Sequence, residues 1–289
     1  MEQTITFPGT KIGTKSPGSN VKDINRSTLI RVQRIASSDV SISFVPDRVA
    51  FWLGAVALLL VFSSAAVLTA DYLTGYNSVV IHKLVKLFDL DLEVNVPTFF
   101  SVGLLLTASM LLAVVTAIVR KRKGKHVLGW AILSGGFLFM AFDELASAHE
   151  RLIEPMRAVM GIENLGIFYY AWVIPAIGLC LVLGVSYIKF LVDLPAKTRN
   201  LLMLAATMFL GGAVGLELFE GVFASNLLFY NVFVTFEECL EMGGVILLIW
   251  TLLRFLQDNF NLNSLNFDLS TGDSRSSERY SIKDLGLQS

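Results

Sequence analysis

Long apolar runs alternate with short polar connections from about residue 49 onward. Six of them, at about 49–70, 98–119, 127–148, 168–190, 199–219 and 231–256, are each long enough to cross ~30 Å of hydrocarbon as a helix. The pattern predicts an all-α fold, a polytopic transmembrane helix bundle of about six spans. Residues 71–97 form the one long connection between spans. Within it, residues 79–88 (VVIHKLVKLF) group His82, Lys83 and Lys86 on one helical side. This predicts a surface amphipathic helix in the first outer loop. The following string, Leu90-Asp91-Leu92-Glu93-Val94-Asn95, alternates with period two. An extended segment would put Asp91, Glu93 and Asn95 on one side. Val96-Pro97-Thr98 then opens the second span, with Pro97 suited to a first helical turn.

Three regions follow from this pattern: a polar N-terminal arm (1–47), the bundle (48–257) and a C-terminal tail (258–289) expected to be disordered. Of the 289 residues, 54% are hydrophobic and 16% charged, and the mean hydropathy is +0.64. A soluble domain of this length would carry more charge. The net charge of −1, with no basic face interleaved with aromatics, gives no support for nucleic-acid binding. Cys180 and Cys239 fit no metal or redox spacing and are expected to be small packing residues. The first apolar run lies behind a polar arm, so no cleavable signal peptide is expected.

Basic residues set an orientation. Lys11, Lys15, Lys22, Arg26, Arg31, Arg34 and Arg48 precede the first span, Lys121, Arg122, Lys123 and Lys125 cluster after the second, and Lys197 and Arg199 follow the fourth. By the positive-inside rule the expected location is a plasma (inner) membrane with both termini cytoplasmic. Loops 71–97, 149–167 and 220–230 then face outside.

That orientation gives the membrane acids one address. Asp143, Glu144 and Glu150 end the third span, Glu217 and Glu220 end the fifth, and Glu237, Glu238 and Glu241 begin the sixth. Asp143, Glu217 and Glu241 each lie roughly 24–27 Å from the cytoplasmic helix ends at 1.5 Å per residue. All fall in the outer third of the bilayer. An ionised side chain there is costly unless paired, protonated or metal-bound. Other readings exist for each group. The third-span acids could be an interfacial helix end with Arg151 and Arg157 as counter-ions, Glu217 and Glu220 a solvated helix end, and Asp91 and Glu93 loop residues. Phe168, Tyr169, Tyr170 and Trp172 suit an interfacial aromatic belt, and the glycines at 211–215 and 243–244 suit close helix packing.

The strings LDLEVNVPTFFS (90–101), FDELASAHERL (142–152), GLE (215–217) and FEECLEMGG (236–244) resemble a family of uncharacterised bacterial multi-pass membrane proteins. The resemblance spans about residues 48–257. It supports the grouping of these residues and implies no activity.

Oxygen-rich, histidine-poor donors suit a divalent metal ion, Mn²⁺, Fe²⁺, Ca²⁺ or Mg²⁺. The expected ligands are Asp143, Glu217, Glu238 and Glu241, with Glu93, Glu150, Glu220 and His149 as further ligands or proton carriers. On a continuous helix His149 projects away from the Asp143–Ser147–Glu150 stripe, so it joins only if the helix ends there. Which of Glu237 and Glu238 faces inward is left open. Three functions fit: a metal-dependent membrane protein acting on a lipid or small molecule at the outer leaflet, with catalysis left open; a cation- or proton-coupled transporter; or a non-catalytic subunit or assembly factor. Besides the lipid bilayer, a homo-oligomer or a larger membrane complex is an open partner.

Overall fold

The computed structural model describes residues 39–43, 45–161, 166–223, 226–260 and 264–268. The described residues fall into two units, one holding 39–43 and 264–268 and the other the described residues from 45 to 260. In the first unit, β1 (Asp39–Ser43) pairs antiparallel with β2 (Ser264–Asp268), Asp39 opposite Asp268 and Ser43 opposite Ser264. Neither strand was expected from the sequence, although both stretches alternate polar and apolar residues. Residues 1–38 of the arm and 269–289 of the tail lie outside the described residues.

The second unit holds six helices of membrane-spanning length and apolarity. They are α1 (Pro46–Leu73), α3 (Val96–Lys121), α4 (Val127–Ala146), α6 (Val173–Val192), the span that begins with α7 (Ala196–Leu210) and ends with α8 (Glu217–Phe223), and α9 (Leu227–Phe260). The amphipathic helix is α2 (Val79–Phe88), and a short α5 (Ile153–Met160) lies between α4 and α6. The all-α polytopic bundle and its surface helix are therefore as the periodicity implied. The main shift is at α6. It begins at Val173 rather than near 168, because the aromatic run is taken up by a 3-10 turn at Gly166–Phe168 and two bends.

The central column is α9, which packs against α1, α3 and the α7–α8 span. Its buried face runs through Met242, Val245, Leu248, Ile249, Leu252 and Leu256. Leu112 and Val115 of α3 and Trp130 of α4 close the core from the other side. Two close approaches set the α7–α9 spacing. A Cβ on Gly244 would stand 2.7 Å from the Phe209 nitrogen, and one on Gly212 2.8 Å from the Glu237 carbonyl oxygen. This bears out the packing role expected of Gly212 and Gly244, whereas a Cβ on Gly211 would meet nothing within 4 Å.

Polar fastenings differ at the two ends. At the basic end Arg254 donates to both oxygens of Asp47, at 2.8 and 2.7 Å, and the Trp250 indole donates to Asp47 at 2.8 Å. At the other end, residues 90–95 are a compact turn and not the extended segment suggested by their alternation. Val94 is left-handed at φ 57. Buried Asn95 caps α3, accepting from the Thr98 amide at 3.1 Å, and its own amide donates to the Asp89 carbonyl oxygen. The Leu90 amide donates to Ser64 of α1 at 3.2 Å. Turn and cap together hold Asp91 and Glu93 over the end of the bundle.

Candidate functional site

The site begins with the way α4 stops. Ser147 adopts the left-handed conformation, φ 50 and ψ 41, and terminates the helix after Ala146. The chain then folds back, and the His149 ring reaches Asp143 with 2.8 Å between Nδ1 and Oδ2. The Asp143–Ser147–Glu150 stripe of a continuous helix does not form. His149 joins the site because the helix ends, and Glu150 lies on the 3-10 turn Glu150–Leu152 that follows.

That fold-back creates a donor set. One ligand atom each from Glu93, His149 and Glu150 all lie within 4.8 Å of one another. With Nδ1 engaged by Asp143, Nε2 is the nitrogen left for coordination. A carboxylate behind the histidine fixes the ring and raises its basicity, as in metal centres generally. No second group of three meets this distance among the described residues. Of the four leading ligands expected from sequence, Asp143 stands behind the histidine, and Glu217, Glu238 and Glu241 lie outside the triple.

Those acids form an adjoining layer. Glu217 and Glu220 are not at a solvated helix end: they are 8% and 4% exposed. The span carries a π-helical stretch at Gly211–Leu216, directly before Glu217. Such bulges re-aim the residues that follow them. Glu217 accepts a 2.6 Å hydrogen bond from the Trp172 indole, and the Trp172 ring lies 5.0 Å from that of His149. The carboxyls of Glu220 and Glu237 are side-chain neighbours. One oxygen of Glu220, Oε1, is buried with no partner among the described residues. Glu238 is within electrostatic range of Glu144, Glu220, Asp91 and Glu93. Glu144 and Glu241 share a cleft of about 10 Å³ with Ser101, room for about one water molecule. At the rim the Tyr230 hydroxyl donates to Asp91 at 2.6 Å and lies 3.5 Å from that of Tyr170.

The charge balance is one-sided. Among the described residues none of these acids is ion-paired with Lys or Arg. Arg157, an expected counter-ion, instead donates to Glu154 and to the Tyr169 carbonyl oxygen and stacks over the Tyr169 ring. Arg151 has no ion-pair partner there either. Outside the spans the titrating groups respond accordingly. Burial lifts Glu93 to about 7, with Glu150, Glu144 and Asp143 adding to the rise and His149 opposing it. Burial works to lower His149, but the bond to Asp143 and the charges of Asp143, Glu217 and Glu93 outweigh it and raise the imidazole to about 9. Burial also pushes the Tyr170 phenol up to about 12.

Residues 50–256 match a family described as a domain of unknown function, DUF8692. The chain belongs to that family. Its matched region covers the bundle and every residue of the site. No curated protein and no solved structure matches the chain.

Sequence reasoning missed Trp172, assigned to an aromatic belt, and Tyr230. Their partners Glu217 and Asp91 stand 45 and 139 residues away, beyond the reach of any local pattern. Glu144, named among the third-span acids, lies in the layer beside Glu241, and Asp91 lies at the rim with Tyr230.

Proposed function

We propose that the chain is a plasma-membrane metalloprotein whose divalent ion is held by Glu93, His149 Nε2 and Glu150 at the outer surface. The observation that carries this reading is the left-handed turn at Ser147. It spends His149 Nδ1 on Asp143 and brings the ring beside two carboxylates from separate segments. One imidazole among carboxylates favours Mn²⁺ or Fe²⁺ over Ca²⁺ and Mg²⁺. A positive ion there also offsets the repulsion within an acid group that has no basic partner.

Asp143 orients the histidine. Glu217, held by Trp172, lies on the bundle side of the histidine. Three protein donors leave coordination positions open, which supports catalysis over a closed structural site. An ion held by Glu93, His149 and Glu150 would supply Lewis acidity toward an oxygen donor or water. Asp91 with Tyr230 forms the polar rim of the site. The substrate class is a lipid or small molecule reached at the outer leaflet. The outward direction follows from the basic residues at the opposite bundle end, with both termini cytoplasmic.

Electron spin-echo modulation on Mn²⁺-loaded protein tests this reading. A directly coordinated imidazole nitrogen is expected in the wild type. It should vanish in His149→Asn and persist in Glu238→Gln. A wild-type spectrum without a coupled nitrogen would overturn the proposed ligand set.

A further inference from the structure

A second feature lies at the opposite end of the bundle, on the outer face of the α3–α4 pair. The two helices are clasped by reciprocal hydrogen bonds: the Ser109 hydroxyl donates to the Ser134 carbonyl oxygen at 2.8 Å, and the Ser134 hydroxyl donates to the Ser109 carbonyl oxygen at 2.9 Å. From this clasp toward the basic end, small side chains leave space between the helices. An open groove of about 640 Å³ results, lined by Ala113, Thr116 and Ala117 of α3, Ala131 and Ser134 of α4, and Arg120 and Lys121 at its end.

The chemistry of the groove is divided. Its wall is effectively apolar, because the Thr116 hydroxyl is spent on the Leu112 carbonyl oxygen and that of Ser134 on the clasp. Its basic end is unbalanced. Arg120 and Lys121 have no ion-pair partner among the described residues, and residues 96–142 contain no Asp or Glu. The turn beyond is fixed. Arg122 stacks over Phe260 at 4.7 Å, the Gly124 amide donates to the Val119 carbonyl oxygen at 2.8 Å, and His126 bonds Asp193 at 2.8 Å. The two cations are thus presented on an anchored helix end. From Ala113 to Lys121 the groove runs about 12 Å along α3, comparable with the upper part of an acyl chain.

We propose that this groove seats one anionic glycerophospholipid, its acyl chain along Ala113, Ala117 and Ala131 and its phosphate on Arg120 and Lys121. Two unpaired cations on an anchored helix end above an apolar slot match a headgroup whose phosphate has no amine of its own. Basic pockets between spans on the cytoplasmic side are suited to such headgroups. The proposal is independent of the metal site at the other end.

Native mass spectrometry of the full chain, released from nanodiscs of mixed phosphatidylglycerol and phosphatidylcholine, tests it. The wild type is expected to retain about one phosphatidylglycerol in preference to phosphatidylcholine. Arg120→Gln/Lys121→Gln should weaken that retention by roughly tenfold or more, since each basic residue contributes to the headgroup attraction. Ala117→Phe keeps both charges and fills the slot, and it should lose the lipid as well. Equal retention of the two lipids by the wild type would overturn the proposal. Retention unchanged in either variant would do the same, as would a dimer that replaces bound lipid and breaks up in Ala117→Phe. Should a variant fail to fold, a photoreactive phosphatidylglycerol applied to the wild type decides alone. Labelling within residues 113–134 supports the seat, and labelling elsewhere excludes it.

Discussion

Replacing Asp143 by Asn keeps the shape of the residue behind His149 and removes its charge. The Asp143–His149 contact is 2.8 Å between side chains only 24% and 25% exposed, so solvent screens it weakly. A charge-assisted hydrogen bond of this kind is worth about 1.5–3 kcal/mol, and loss of such a partner costs metal affinity about 10- to 100-fold. A second effect opposes the first. In the metal-free protein the imidazole holds its proton up to about 9, so at pH 7 an incoming ion must displace that proton at a cost near a hundredfold in apparent affinity. The variant loses most of this penalty along with the carboxylate. The expected outcome is a gap that depends on pH. Asp143→Asn and wild type bind Mn²⁺ with similar apparent affinity near pH 7, and the variant falls behind by about 10- to 100-fold at pH 9 and above. Chelator-buffered Mn²⁺ titrations from pH 6.5 to 9.5 measure it. Curves for the two proteins that run parallel at every pH would refute the role given to Asp143.

The metal-free protein should lose stability as pH rises. A group whose pKa is raised by folding contributes fully below its unfolded value, and that contribution disappears as pH passes the folded one. For His149 the window runs from its ordinary 6.5 to about 9, worth about 3 kcal/mol. Glu93 acts in the same direction between 4.5 and about 7. Thermal melts in detergent should therefore fall between pH 6.5 and 9, and His149→Asn should flatten that step. Trp172→Phe removes the one hydrogen-bond donor to Glu217 among the described residues and should cost about 1–3 kcal/mol, read as a lower melting temperature. Gly244→Ala forces a methyl to 2.7 Å from the Phe209 nitrogen. It should destabilise by about 1–3 kcal/mol by spreading α7 from α9, measured the same way with metal content as a folding control.

The bundle was legible because its signals are local. Apolar length gave six spans, the 79–88 periodicity gave α2 from Val79 to Phe88, and Pro97 marked the start of α3. The acids were legible as a group because an ionisable residue in an apolar run is conspicuous whatever it touches. Their arrangement was not. A left-handed serine carries no sequence signature, so the helix stop that turns His149 onto Asp143 could be stated only as a condition. The alternation of 90–95 suggested an extended segment, but Asn95 serves as a helix cap and Val94 turns the chain, so tertiary packing overrode the pattern. Trp172 and Tyr230 reach their acids from distant segments, and only the packed bundle brings them there.

Metal content by inductively coupled plasma mass spectrometry bears most directly on the central claim. Wild type, Glu93→Gln/His149→Asn and Glu238→Gln/Glu241→Gln would be reconstituted with Mn²⁺ or Fe²⁺ and washed under identical conditions. The account predicts about one ion per chain in the wild type, retention in Glu238→Gln/Glu241→Gln, and loss in Glu93→Gln/His149→Asn. A wild type that holds no metal would contradict it, as would an ion lost with Glu238 and Glu241 but kept without Glu93 and His149.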